Sequence, residues 1–250
     1  MLSLRRRALS TQAASARFTL WHSKDARSLR ILWCFHELGL ASGKDYALRM
    51  LQFPPRLHHP DFLQRNPLGT VPWFEHQETW EVTPRASMSE SCAVPLYLAE
   101  LHRSPLALRV LDPQYGTFLN WVHHADATLT FPQAVVMRYA IFERDRGLGD
   151  AATDYERWFH ARLRLLNTAL EDGRPYLMGE RFTIADLCVT YALFNASADG
   201  LCGGGLAEVG GAPLSDRFKP QVAAYLERMI ARPAWISAQR EQQQAAGGPD

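Results

Sequence analysis

Hydrophobic positions change their period along this chain, and the change divides it in two. Phe18-Thr19-Leu20-Trp21-His22 reads as a short strand, and a second is predicted over 46–51. Between them, Leu29, Leu32, Trp33, Phe35, His36 and Leu38 recur at helical spacing along 28–40, where Gly39 stops the run. A Pro54-Pro55 loop leads to a short predicted helix near 61–65. Strands over 71–75 and near 79–82 are expected to form a hairpin, and 90–101 returns to helical spacing through Ala93, Val94, Leu96, Tyr97 and Leu98. The order β-α-β-α-β-β-α predicts a compact α/β domain over 18–103.

Past a linker at 104–111 the strand signals fade. Helical patterns over 113–144, 153–171, 183–199 and 220–230 predict an all-helical bundle spanning 112–237. Thr183 and Asp186 have capping-box spacing, with Phe182 and Leu187 at the staple positions; such a cap contributes about 1 kcal/mol and is folding information. Gly203-Gly204-Gly205 and Gly210-Gly211 read as loops, and 238–250 as a polar, disordered tail.

Composition changes this picture mainly at the start. The 250 residues are 47% hydrophobic, enough to fill real cores, and 27 Lys and Arg nearly balance 26 Asp and Glu. That balance gives no reason to invoke nucleic acid. No apolar run approaches the roughly 20 residues needed to span a bilayer. Residues 1–17 contain Arg5, Arg6, Arg7 and Arg17 and no acid, the composition of an organelle transit peptide, with the mitochondrial matrix expected ahead of a plastid or the cytoplasm. Cys34, Cys92, Cys188 and Cys202 are widely spaced without metal-ligand patterning, so reduced, mainly buried thiols and no metal site are expected.

The densest chemical signal is Asn66-Pro67-Leu68-Gly69-Thr70-Val71-Pro72, followed by Glu90-Ser91 at a predicted helix start. The prolines make the turn stiff. A cis Val71–Pro72 bond would turn the Val71 backbone away from the sheet toward a ligand. Ser91 beside unpaired helix amides suits a carboxylate. Together they describe a pocket for the backbone and carboxylate of a small peptide.

Four motifs in order carry a family resemblance: Asn-Pro-Leu-Gly-x-Val-Pro at 66–72, Ser-Glu-Ser at 89–91, Phe-Thr-Ile-Ala-Asp at 182–186, and Val-Ala-Ala-Tyr-Leu-Glu-Arg-Met-x-Ala-Arg-Pro-Ala-Trp at 222–235. The chain resembles the cytosolic-type glutathione S-transferases, with a thioredoxin-like first domain and a helical second one; residues 25–33 look most like bacterial and fungal branches. The resemblance implies that Val71, next to Pro72, pairs its backbone with the cysteinyl unit of glutathione. Glu90 and Ser91 would then hold the γ-glutamyl end. It also implies a homodimer, and conjugation of glutathione to small hydrophobic electrophiles in detoxification, with hydroperoxide reduction as a side activity. A non-catalytic glutathione-binding scaffold is the alternative. An isomerase is disfavoured, because the family's isomerases usually show Gln-Ser where Glu90-Ser91 stands.

A free thiol titrates near pH 8.5, and lowering this by ~2 units requires about 2.7 kcal/mol of preference for the thiolate. One hydrogen bond to a charged group supplies roughly 1.5–3 kcal/mol. The resemblance places that group just after the first strand, leaving Ser23, Ser28, Arg27 or backbone amides. Related bacterial sequences often carry Ser at the position of Ala26. Thr70 stands where many members have a Lys on glutathione's glycine carboxylate, and the 77–87 connection is longer than usual. Trp121, His123, His124, Phe131, Met137 and Tyr139 are the candidate lining of the electrophile pocket.

Overall fold

The computed structural model describes residues 16–78 and 84–247. Its sheet is built from β1 (Phe18–His22), β2 (Tyr46–Met50), β3 (Trp73–His76) and β4 (Ala86–Met88), in the order β2-β1-β3-β4. β1 runs parallel to β2 and antiparallel to β3, and β3 is antiparallel to β4. Helix α1 (Leu29–Glu37) is buried from Leu29 through Phe35, between this sheet and the helices of the second domain. Phe35 stacks on Tyr46 with centroids 4.2 Å apart, and Phe18 on Phe74 at 5.6 Å. Gly39, at φ 70°, ends the helix as expected. Short helices α2 (Pro55–His58) and α3 (Phe62–Arg65) precede β3, and α4 (Ala93–Leu101) closes the domain.

Two expectations for this domain change. The strand near 79–82 lies outside the described residues, and the observed partner of β3 is Ala86–Met88, with Phe74 opposite Met88 and His76 opposite Ala86. Arg17, assigned above to a transit peptide, belongs to the folded domain. Its guanidinium donates to His76 Nε2 at 2.9 Å and Glu78 Oε1 at 2.9 Å, and its carbonyl accepts from the Gln77 amide. Most of the proposed transit segment, 1–15, lies outside the described residues.

The second domain is helical: α5 (Tyr115–His123), α6 (Phe131–Val136), α7 (Gly149–Ala169), α8 (Ile184–Asn195), α9 (Leu201–Glu208), α10 (Pro220–Ile230) and α11 (Pro233–Ala246). All twelve residues of α8 are buried, so it is the axis around which the others pack. Its capping box forms: the Thr183 amide donates to Asp186 Oδ2 at 2.8 Å. Asp186 Oδ1 also accepts from the Leu177 amide at 2.7 Å and the Tyr225 hydroxyl at 2.9 Å, so one carboxylate ties three segments together. The 113–144 pattern is a single rod interrupted by π-helical turns at His124–Thr130 and Met137–Phe142. Such turns reset which side chains face inward.

Two predicted irregular segments are helices. Gly203-Gly204-Gly205 lies within α9, where glycine serves close packing: a Cβ at Gly203 would stand 2.2 Å from the Ser197 carbonyl oxygen. The tail beginning at 238 is most of α11, whose Trp235, Ala238 and Gln242 are buried at helical spacing. Trp235 meets Trp33 edge-on at 4.9 Å, and Glu241 accepts from the Tyr46 hydroxyl at 2.5 Å while pairing with His36 at 2.8 Å. A polar composition concealed this helix because its contacts are themselves largely polar. The four cysteines are buried and free, and among the described residues no helix is long and apolar enough to cross a membrane.

Candidate functional site

The 66–72 turn is knitted by its own first residue. Asn66 is buried; its Nδ2 donates to the Thr70 carbonyl at 2.8 Å and its Oδ1 accepts from the Leu68 amide at 3.1 Å. Gly69 has φ 59°, and a Cβ there would stand 2.8 Å from both Arg56 Cβ and Leu63 Cδ2. Its bareness lets α2 approach the turn and sets Arg56 beside Thr70. The Val71–Pro72 bond is cis, and the β1–β3 ladder starts only at Trp73 opposite Trp21, so Val71 lies outside it.

A cavity of about 970 Å³ opens between the two domains. One wall is Ala26, Arg27, Phe53, Arg56 and Gly69 to Val71; the other is Thr130, Phe131, Arg138, Tyr139, Phe142 and Tyr155, with Tyr191 and Asn195 behind. Asp25, at φ 56°, turns the chain after β1 so that Ala26 and Arg27 reach this wall at the head of α1. Among the described residues, the Arg27 and Ser28 amides donate to no backbone carbonyl.

Behind the wall, Arg30 is fully buried and joins the domains. Its Nη1 donates to Ser91 Oγ at 2.7 Å and Asp126 Oδ1 at 2.8 Å, and its Nη2 to Thr130 Oγ1 at 2.9 Å and the Cys188 carbonyl at 3.2 Å. The guanidinium also lies 4.7 Å from the Tyr191 ring centroid. Burial pushes the Asp126 carboxyl up, but the charge and hydrogen bond of Arg30 outweigh this and hold it below its ordinary range. Ser91 is itself buried and, like Arg30, lies behind the residues that line the cavity.

The structure sorts the candidates. Val71, Arg27, Phe131, Met137 and Tyr139 share the cavity. Pro72 is buried behind Val71, and Glu90 is exposed at the start of α4, where its carbonyl accepts from the Ala93 and Val94 amides. Ser23 and Ser28 do not line this cavity. Both are buried outside the cavity wall; among the described residues Ser23 Oγ has no hydrogen-bond partner, and Ser28 Oγ lies 2.6 Å from His22 Nδ1. Trp121 and His124 also lie off this wall: they pack on each other inside the bundle at 5.4 Å, while His123 faces outward and does not line the cavity. The π-helical turn that begins at His124 rotates the rod, so that Thr130 and Phe131 face the cavity instead.

Arg30, Asp126, Arg56 and Arg138 were not singled out from the sequence. An arginine among the apolar positions of α1 was the available sign for Arg30; nothing local marks Arg56 or Arg138. Among the described residues no group of three or more His, Cys, Asp or Glu side chains converges to hold a metal ion.

A four-stranded α/β domain with a cis-proline turn, facing a helical bundle across a cleft, defines a protein with a thioredoxin-like first domain, a helical second domain and a cavity at their junction. Models of the glutathione S-transferase N-terminal and C-terminal domains match residues 16–100 and 142–228, together well over half of the chain, which belongs to the glutathione S-transferase family. It is 25% identical over 227 residues to glutathione S-transferase 1 of Schizosaccharomyces pombe, covering 88% of this chain and 93% of that one. It is also 29% identical over 155 residues to elongation factor 1-gamma of Rattus norvegicus, a match covering 58% of this chain and 32% of that protein. The chain thus spans about a third of those elongation factors. A Pseudomonas fluorescens glutathione transferase family member, solved with two glutathione bound, shares the fold at TM-score 0.70 and 23% identity over 89% of this chain and 92% of that one.

Proposed function

We propose that this chain binds glutathione in the interdomain cavity and transfers it to a small hydrophobic electrophile. The observation that carries the reading is the meeting of Val71, Ala26 and Arg27 on one wall, facing aromatic side chains of the bundle. The Val71 backbone pairs with the cysteinyl unit, in the manner of an added strand. Ser91, polarised by Arg30, takes the γ-glutamyl carboxylate, and Glu90 offsets the ammonium. Arg56, beside Thr70, supplies the cation for the glycine carboxylate. The thiol then lies at Ala26–Arg27, where the reassigned activating groups are the Arg27 guanidinium and the unpaired amides heading α1.

Titration of the thiolate absorbance of bound glutathione tests this. Arg27→Ala is expected to raise the thiol pKa and lower kcat/KM for an aryl halide by about tenfold or more, as removal of one charge-assisted contact of roughly 1.5–3 kcal/mol implies. Ser23→Ala is expected to leave the thiol pKa in place. The opposite pattern would return the role to Ser23. Dimerisation and delivery of the chain to the mitochondrial matrix complete the proposal; light scattering and a fluorescent fusion of residues 1–17 check them.

The second reading is a glutathione-binding scaffold without turnover. It is favoured by Ala26 on the cavity wall, by the burial of both nearby serines, and by the similarity to elongation factor 1-gamma. Retention on immobilised glutathione with no conjugation across several electrophiles would select it.

A further inference from the structure

The bundle wall of the cavity holds a positive charge to which the glutathione reading above gives no role. With Arg56, Ser91 and Arg27 assigned above to the two carboxylates and the thiolate, Arg138 stands on the opposite wall of the cavity. Its Nε donates to Glu143 Oε1 at 2.9 Å, while the other carboxylate oxygen accepts from Arg146 Nη1 at 2.7 Å. One carboxylate is thus divided between two guanidinium groups, and one positive charge is left over. Both guanidinium carbons also lie near the Tyr139 ring, at 5.5 and 5.7 Å from its centroid. Among the described residues the two terminal nitrogens of Arg138 find no hydrogen-bond partner, and its side chain is 55% exposed. Beside it, Phe142 meets Phe53 of the opposite wall at 5.9 Å, a place for a flat ring.

We propose that the acceptor is an electron-poor aromatic compound carrying a carboxylate, which Arg138 receives while the ring packs among Tyr139, Phe142 and Phe53. The inference rests on the glutathione reading above. In the step it serves, the glutathione sulfur, its proton already lost to solvent, forms a C–S bond at the halogen-bearing ring carbon. The halide then leaves with the C–halogen electron pair, giving a thioether without oxidant or reductant. The bidentate fork of an arginine suits a carboxylate better than a point charge does.

The test compares 4-chloro-3,5-dinitrobenzoate with its neutral methyl ester, using the full chain, Arg138→Gln and Glu143→Gln. The expected wild-type result is a higher kcat/KM for the carboxylate. Arg138→Gln should cut the carboxylate-to-ester ratio by about five- to tenfold, and Glu143→Gln, which frees the guanidinium, should raise it. Binding of the two finished glutathione conjugates, read by tryptophan quenching, supplies the same ratio if turnover is absent. Binding of glutathione with equal affinity for both conjugates, unchanged in Arg138→Gln, overturns this proposal alone. Failure to bind glutathione at all overturns the reading beneath it and this proposal with it.

Discussion

His22 and Gln242, 220 positions apart, meet through a 2.9 Å hydrogen bond that fixes the protonation of the first loop. Gln242 Oε1 also accepts from the Asp25 amide at 3.0 Å, and its Nε2 donates to Asp25 Oδ1 at 2.6 Å. The oxygen therefore faces His22, whose Nε2–H must donate to it. That leaves Nδ1 as the acceptor for the Ser28 hydroxyl at 2.6 Å, so the Ser28 proton is committed and cannot serve a thiolate. Gln242→Ala strands the His22 donor and the Asp25 amide. The expected cost is about 1–3 kcal/mol per unsatisfied buried group, read as a lower denaturant midpoint. Slackening of the Asp25 turn should also weaken glutathione binding.

The same network predicts an acid-sensitive fold. Burial lowers the His22 pKa to about 4, against 6.5 in the unfolded chain, and the Gln242 bond and the charge of Glu241 only partly oppose it. Between those values the unfolded state binds the extra proton, so stability rises with pH. The contribution is fully present above 6.5 and is lost as pH falls toward 4, with a total on the order of 3 kcal/mol. His160, also lowered to about 4 by burial and Arg217, adds a second slope of the same sign. Unfolding midpoints at pH 7 and pH 5 should converge partly in His22→Gln; an unchanged difference would remove His22 from the account.

How far the sequence carried this follows from the range of each interaction. The capping box at Thr183 and the turn at Asn66 are closed by residues within four positions of each other, and both form as expected. The bonds from Arg30 to Asp126 and Cys188, and from His22 to Gln242, cross about 96 to 220 positions and leave no local pattern. α11 failed the apolar-period test because Glu241 and Gln242 do part of the docking through polar atoms. Ser23 and Ser28 flank Ala26 and Arg27, the stretch of this loop that reaches the cavity wall. Which residue of that stretch faces the cleft depends on the positive φ of Asp25, which sequence spacing alone does not reveal.

Arg30 should be the most costly single polar side chain to remove. Arg30→Met leaves the partly buried Asp126 carboxylate and the Ser91 hydroxyl without their donor, and breaking a buried pair in this way costs about 3–5 kcal/mol. Arg30→Lys is expected to recover little, because three hydroxyl or carboxylate oxygens and one carbonyl are reached by a planar fork. Adding Asp126→Asn to Arg30→Met should cost less than the two changes summed, since it removes the stranded charge. Strict additivity in denaturant unfolding would mean that the two groups act independently.

Gly69 links backbone geometry to ligand binding, and Gly69→Ala separates it from a merely structural turn. The positive φ alone costs an L residue roughly 1–2 kcal/mol. The added methyl would also press 2.8 Å from Arg56 Cβ and Leu63 Cδ2, so α2 must move outward from the turn. If Arg56 holds the glycine carboxylate, glutathione affinity should fall in Gly69→Ala even at temperatures where the variant is fully folded. The shortened analogue γ-glutamylcysteine, which lacks the glycine, should lose far less. Arg56→Ala should reproduce that ligand-dependent loss without the drop in thermal midpoint, because Arg56 is exposed and its guanidinium makes no hydrogen bond among the described residues. Equal losses for both peptides in both variants would place the glycine carboxylate elsewhere on the wall.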